Sequence, residues 1–397
     1  MSILVINSGS SSIKAALFSS DQLICLINIQ VEEINGHSPK ILIGEKKQAL
    51  QCPSHEHALE AIFQALSNSH IDLKEIAIVG HRVLHGGEYF TQSVIITDEV
   101  EQKIESMKWL APLHTSACLS GIRIARDTLN DCQHIAVFDT AFHASLPEQA
   151  QGYALPKKVI EKFNLRRYGF HGISHQYVSQ ITIDTLRKKQ LNASKIISCH
   201  LGNGCSITAI KDGMSIETSM GMTPLEGLVM GTRCGDIGPS ITIKLMRDHV
   251  NSPDELEDML NRRSGLLGLT GTNDMREIAQ RANNGDQDCQ KAIDLFVHRI
   301  RKYIGSYAAA LGGVDAIIFT GGIGENSAMI REKVAQDFQF LNIELDNERN
   351  LNARLSTQQS VITISTKASR TQLLLVQTNE ELAIAKSTRN VVYSENH

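Results

Sequence analysis

No basic run, no bilayer-length apolar stretch and no Cys-x-x-Cys pair occurs in this sequence of 397 residues. Each absence excludes something. The formal net charge is −4 and the cations are dispersed, so neither a nucleic acid nor an anionic membrane is expected as a partner. No apolar run approaches the ~20 residues that span a bilayer. The stretch Met1-Ser2-Ile3-Leu4-Val5-Ile6-Asn7 has no positive charge ahead of its apolar run, so no signal peptide is expected. Eight scattered cysteines predict reduced, mostly buried thiols and a cytoplasmic location. Neither G-x-x-x-x-G-K-[ST] nor a full G-x-G-x-x-G is present, which excludes a P-loop and leaves a dinucleotide fold unsupported.

What is there is ordinary globular material, with 42% hydrophobic and 21% charged residues. The length predicts two to three domains. Apolar strands alternate with amphipathic helices, so the class is α/β. Strands are predicted at Ile3–Asn7, Ile13–Phe18, Ile76–Gly80, Ile135–Phe138, Ile196–His200, Ile207–Ile210, Ala316–Thr320 and Leu373–Val376. A helix is predicted from about Gln290 to Leu311, where Ile293, Phe296, Val297, Ile300, Ile304, Tyr307 and Leu311 recur at helical spacing before Gly312-Gly313. Two hairpins with small glycine-bearing tips, at Asn7–Ser12 and His200–Ser206, suggest two related halves. A domain change is expected near Pro147–Pro156. The polar segment Ser387–His397 is expected to be poorly ordered.

Three glycine-rich turns follow apolar strands: Asn7–Ser12 with Lys14 beyond it, Gly202-Asn203-Gly204, and Gly321-Gly322-Ile323-Gly324-Glu325-Asn326. Glycine lets backbone N–H groups approach an anion closely, although it also serves turns with positive φ. Hydroxyls at Ser10, Ser11 and Ser12 extend the donor set. Arg82 and Arg233 lie in glycine-flanked loops, where a guanidinium presents its fork to carboxylate or phosphate oxygens or forms a structural ion pair. His81/His85 and His171/His175 have i,i+4 spacing, but interrupting glycines argue against a helical zinc motif. Asp139 ends a strand, where ligand-facing residues project. Glu380 opens a predicted helix, as a cap or as a metal-associated carboxylate.

Taken together, these segments resemble the acetate kinase family, which includes propionate and butyrate kinases. The resemblance runs through Asn7–Lys14, Gly80–Phe90, Ala111–His114, Phe138–His143, Arg167–His175, His200–Ser206, Thr218–Asp236, Phe319–Ser327 and Thr378–Leu382. It is most specific at Thr218-Ser219-Met220-Gly221-Met222-Thr223-Pro224-Leu225-Glu226-Gly227. The resemblance implies two similar α/β domains of the actin, sugar kinase and heat-shock chaperone type with a nucleotide cleft between them. They are expected over residues 1–147 with 377–397, and over 148–376. It also implies a homodimer, ATP and ADP as co-substrates, acetate or propionate as acceptor, and magnesium, for which manganese substitutes.

Carried over by position, Asn7 and Glu380 are the metal-associated pair. Arg82 and Arg233 are the substrate and transition-state arginines, His171 stabilises the phosphoryl group in flight, Asp139 is the catalytic acid position, and His114 is a further active-site imidazole. Lys14, His200, Leu201, Gly202, Asn203, Gly204, Asp274, Met275, Arg276, Gly322, Ile323, Gly324, Glu325 and Asn326 match nucleotide-contacting segments. Val83, Leu84, Leu113, Phe170 and Pro224 match the apolar methyl pocket. Two departures from the family pattern stand out. Thr115-Ser116 follows His114 where Asn-Pro is usual, and Gly238 precedes Pro239 where Asp is usual. The implied activity is reversible transfer of the ATP γ-phosphoryl group to acetate by direct in-line attack. A propionate kinase, a sugar kinase and a non-catalytic nucleotide switch are the alternatives.

Overall fold

The computed structural model describes residues 2–9, 11–36, 38–356 and 358–395, with the backbone alone at residues 112–114, 394 and 395. The chain divides into one unit made of Met1–Phe142 with Asn379–His397, and another made of His143–Thr378.

The first unit is built on β1 (Ser2–Ser8), β2 (Ser12–Ser19), β3 (Cys25–Glu32), β4 (Lys40–Ile43), β5 (Lys46–Ala49), β6 (Ile76–Val83), β7 (Val94–Ile95) and β8 (Gln133–Phe138). Their order in the sheet is β5-β4-β3-β2-β1-β6-β8-β7. β1 and β2 form an antiparallel hairpin that sets Asn7 opposite Lys14. β1, β6 and β8 run parallel. Ile3, Leu4, Val5 and Ile6 are all buried, because β1 is covered on both faces. Leu4 and Ile6 join a core with Leu59, Ile62 and Leu66 of the helix His55–Asn68. The helix Glu380–Glu395 packs on β1, β6 and β8. A Cβ at Gly80 would lie 2.2 Å from Thr388 Oγ1, so this glycine lets that helix approach the sheet. The expectation of disorder from Ser387 onward is therefore corrected as far as Glu395, and Asn396 and His397 lie outside the described residues. The helix continues to Glu395, because Ala383, Ile384, Ala385 and Thr388 bury one face of a segment whose composition looks polar.

The second unit carries β9 (Lys195–Leu201), β10 (Cys205–Lys211), β11 (Met214–Thr218), β12 (Ala316–Thr320), β13 (Val361–Thr363) and β14 (Gln372–Val376), ordered β11-β10-β9-β12-β14-β13. β9 and β10 form the second hairpin, with His200 opposite Ser206. β9, β12 and β14 are parallel. The helix Gln287–Leu311 packs its predicted stripe onto β9 and β10. Asp286 caps it by accepting from the N–H groups of Asp288 and Cys289, and Gly312 ends it in the left-handed region at φ +65°. The helix Gly172–Lys188 packs on β9, β12 and β14.

All eight predicted strands form, and the helix begins three residues before the expected start. The edge strands went unpredicted. β5, for example, is Lys46-Lys47-Gln48-Ala49 with every residue exposed, so no apolar pattern betrays it.

Candidate active site

In the first unit the strand order itself assembles a charged group. Arg82 lies in β6 and Asp139 follows β8, and the two strands are parallel neighbours. Arg82 Nη2 donates to Asp139 Oδ2 at 2.9 Å, and the Asp139 carboxylate is buried. Burial opposes charge on Arg82, but Asp139 and then Glu380 outweigh it and hold the guanidinium above its ordinary pKa. Glu380 has its pKa raised, first by burial and further by Asp139, against the pull of Arg82. Arg82 Nε is buried and has no hydrogen-bond partner among the described residues. Val83 and Leu84, next in the chain, are buried. Asn7 is half-buried at the end of β1, and Lys14 is exposed on β2.

Glu380 is not the cap of its helix. Asn379 Oδ1 takes that place, accepting from the Leu382 N–H at 2.9 Å. The Glu380 carboxylate is left to the charged group. The side chains of Leu113 and His114, and Ser10, lie outside the described residues. His81 is engaged by a neighbouring imidazole. Its Nε2 lies 3.0 Å from His134 Nδ1, and burial holds it well below the usual histidine pKa.

In the second unit the β9–β10 turn, two loops and a short helix converge. A Cβ at Gly204 would lie 3.2 Å from His171 Nε2 and 3.6 Å from Arg233 Nη1. A Cβ at Gly202 would lie 3.8 Å from the Gly322 N and 3.9 Å from His200 Nε2. The glycine turn, both histidines, the arginine and the start of the helix Gly321–Asn326 thus lie close together. Gly321, at φ +77°, brings that helix within 2.8 Å of the Leu201 carbonyl, measured from the Cβ it lacks. Glu325 works inside the turn, with its Oε1 accepting from the N–H groups of Gly321 and Thr378. Asn326 donates to the Gly322 carbonyl, and Ile323 is half-buried.

Asp274 caps the helix Met275–Asn283 and is chelated by Arg276, whose guanidinium holds its pKa down to about 2. Met275 is buried. Asn273 Nδ2 ties this segment to Asn203 Oδ1 at 3.1 Å. Phe170 is buried and Pro224 half-buried. The Pro224 carbonyl accepts from Arg233 Nη1 at 3.2 Å.

Several residues that hold these groups were missed from the sequence. Arg167 donates to the carbonyls of Thr218, Ser219 and Met220, and to Glu226 Oε1 at 3.0 Å. Tyr153 hydrogen-bonds the other Glu226 oxygen. Asp236 receives the Gly227 N–H and the Tyr303 hydroxyl, which anchors the loop behind Arg233. Gly238 caps the helix Pro239–Asp248 without a side-chain acceptor. Arg331 is fully buried and donates to the carbonyls of Gly324 and Glu325, closing the end of the short glycine helix. Tyr153, Tyr303 and Arg331 have no sequence signal beyond their residue type, while Arg167 and Asp236 lie in segments of the family resemblance but were given no role.

Among the described residues no group of three or more His, Cys, Asp or Glu side chains is placed to hold a metal ion. A magnesium ion needs no such cage, because it takes one or two carboxylates and fills its remaining positions with water and phosphate oxygens. Glu380, destabilised as an anion by burial and by Asp139, has the chemistry of a carboxylate that a cation would relieve.

Residues 2–386 match the acetokinase family. A relative named acetate kinase, from Thermotoga maritima, is 46% identical over 99% of both chains. The chain is similar to the crystal structure of Porphyromonas gingivalis acetate kinase, with a TM-score of 0.90, 39% identity, and coverage of 98% of this chain and 99% of that one. It is equally similar to a propionate kinase from Francisella tularensis, with a TM-score of 0.91, 41% identity and the same coverage. Across nearly its whole length, then, in sequence and in fold, this chain belongs to the acetokinase family.

Proposed function

We propose that the chain is an acetate kinase, transferring the γ-phosphoryl group of ATP reversibly to acetate to give acetyl phosphate and ADP. One observation carries this reading: buried Asp139 holds Arg82 through Nη2 and keeps it charged, while the Arg82 side chain stays 16% exposed. A carboxylate reaching the exposed part of the guanidinium would pair with it. Its methyl group would lie toward the apolar Val83 and Leu84. A sugar hydroxyl offers no charge for this arginine.

A carboxylate is a weak nucleophile, so positioning and charge cancellation dominate the transfer. Arg82 orients the acid. Its oxygen attacks the γ-phosphorus as the bond to the β–γ bridging oxygen breaks, and ADP departs with that electron pair. Arg233 and His171 stabilise the equatorial oxygens of the group in flight. The backbone of Gly202–Gly204 and Gly322–Asn326 cradles the nucleotide phosphates. Asn7 and Glu380 would hold the magnesium ion, which would supply charge neutralisation to the nucleotide phosphates. Asp139 fixes Arg82 and keeps it charged. Lys14, His114 and the segment Asp274–Arg276 belong to the same reading as nucleotide and active-site contacts.

We read the protein as cytoplasmic, in keeping with eight free cysteines, five of them buried. We also read it as a homodimer. The helix Pro239–Asp248 buries none of its residues and exposes Ile241 and Ile243, an apolar surface that a second copy would cover.

Trapping of the acyl phosphate with hydroxylamine tests the activity. Hydroxamate formed from acetate, ATP and magnesium supports the reading. ATP consumption with glycerol or a hexose and no hydroxamate from acetate overturns it.

A further inference from the structure

His175 is fully buried, and nothing in the reaction above uses it. Its two ring nitrogens are engaged, Nδ1 with Ser198 Oγ at 2.9 Å and Nε2 with Ser206 Oγ at 2.7 Å. Ser206 Oγ in turn lies 2.9 Å from His171 Nδ1. The four groups form one unbroken file from strand β9 to the histidine placed beside the glycine turn.

The chemistry of the file allows few arrangements. Burial, and then the neighbouring His143 and His200, hold His175 well below the usual histidine pKa, so its ring is neutral and carries one proton. His143 Nε2 lies 3.0 Å from the Phe170 carbonyl, which only accepts, so that nitrogen carries a proton, and its Nδ1 lies 2.9 Å from Ser215 Oγ. Ser206 has one hydroxyl proton for two ring nitrogens. If it donates to His171, it accepts from His175, and Ser198 then donates to His175. If it donates to His175, every proton in the file reverses.

The two arrangements differ at one functional point. In a neutral His171 ring, the first leaves the proton on Nε2, the nitrogen 3.2 Å from where a Gly204 Cβ would stand. In the same neutral ring, the second leaves a lone pair there, which anionic phosphoryl oxygens would repel. His171 also sits at φ +56°, in the left-handed region, at the start of the helix Gly172–Lys188. A non-glycine residue tolerates that conformation at a cost of roughly 1–2 kcal/mol. The conformation and the hydrogen-bond file together over-determine where this ring points.

We propose that Ser206 and His175 are positioning residues, a hydroxyl–imidazole relay that holds His171 as the Nε2–H tautomer and so keeps a donor aimed at the transferring phosphoryl group. The proposal rests on the reading of His171 as a phosphoryl stabiliser. It also explains the i,i+4 spacing of His171 and His175 without a metal: the pair brackets one serine.

Nitrogen-15 correlation spectra of the histidine-labelled protein with magnesium and ATP analogue test it directly. The His171 signal, assigned by its loss in His171→Gln, should show the proton on Nε2. A proton on Nδ1 overturns the proposal. Ser206→Ala should mix the tautomers and lower kcat roughly 10- to 100-fold, with KM for acetate and ATP within about twofold, while Ser206→Thr restores much of the rate. A folded Ser206→Ala variant with wild-type kcat also overturns it. If Ser206→Ala fails to fold, the wild-type spectrum still decides. Wild-type kcat in His171→Gln would instead sink the role of His171 itself, a failure that leaves the tautomer measurement readable.

Discussion

The two units carry the same five-strand pattern and opposite chemistry. In each, an antiparallel meander (β3-β2-β1, and β11-β10-β9) is followed by two parallel strands (β6 and β8, then β12 and β14). In each, a hairpin with a glycine-bearing tip joins the first two strands. The first unit then places charge near its strand ends and at the start of its last helix: Arg82, Asp139 and Glu380. The second gathers imidazoles and hydroxyls, His171, His200, Ser174 and Ser206, with Arg233 beside them. One scaffold thus serves an ionic clamp and a field of hydrogen-bonding groups. The architecture fixes where groups sit, and residue type decides what they do.

The largest test of that contrast removes one arginine from each unit. Arg82→Ala and Arg233→Ala should each lower kcat/KM on the order of 10³-fold or more. The first should act mainly through KM for the acid and the second mainly through kcat. Equal effects on both constants in both variants would erase the division of labour.

Acceptor choice comes next. Leu84 is buried immediately after the arginine strand. One methylene in an apolar pocket is worth about 1–3 kcal/mol, so acetate should exceed propionate in kcat/KM by ~10–200-fold at most. Leu84→Ala should narrow or reverse that ratio by improving propionate. Unchanged ratios in the variant would remove Leu84 from the pocket.

Glu380 offers a smaller and more particular effect. Since Asn379 supplies the cap, Glu380→Ala should leave the melting temperature nearly unchanged while raising the magnesium concentration needed for half-maximal rate. A thermal melt beside a magnesium titration separates the two roles, and unaltered magnesium dependence would end the metal assignment.

The smallest effect concerns acid stability. His81 and His175 both have folded pKa values well below the unfolded value of ~6.5, so the unfolded chain binds protons that the native one refuses. Their contribution is fully present above pH ~6.5 and is lost as pH falls below it, by up to about 1.4 kcal/mol per pH unit for each. Glu380 has the opposite sign, because its raised pKa makes the native state the better proton binder as pH rises past the usual glutamate range. Denaturant midpoints between pH 5 and 8 should therefore fall on the acid side, and His81→Gln should flatten that fall.

The paired hairpins and the strands that lead into Arg82, Asp139 and His200 were legible in the sequence, because short apolar runs ending in glycine or histidine are local patterns, whereas the roles of the site residues rest on the family resemblance. The supports were not legible. Arg331, Arg167 and Tyr153 donate to carbonyls and carboxylates up to 73 positions away, Asp236 accepts from the Tyr303 hydroxyl, and no local spacing announces such partners. The C-terminal helix was misjudged for a related reason. Its burial comes from a sheet laid down almost the whole chain earlier.

The central claim is that the phosphoryl group passes directly from nucleotide to carboxylate, with no carboxylate of the protein taking it first. Transfer from ATP made chiral at the γ-phosphorus to acetate measures this in one experiment. A single in-line displacement predicts inversion of configuration in the acetyl phosphate formed. Retention would mean two displacements and a phosphorylated side chain, with Asp139 and Glu380 as its seats, and would contradict the account.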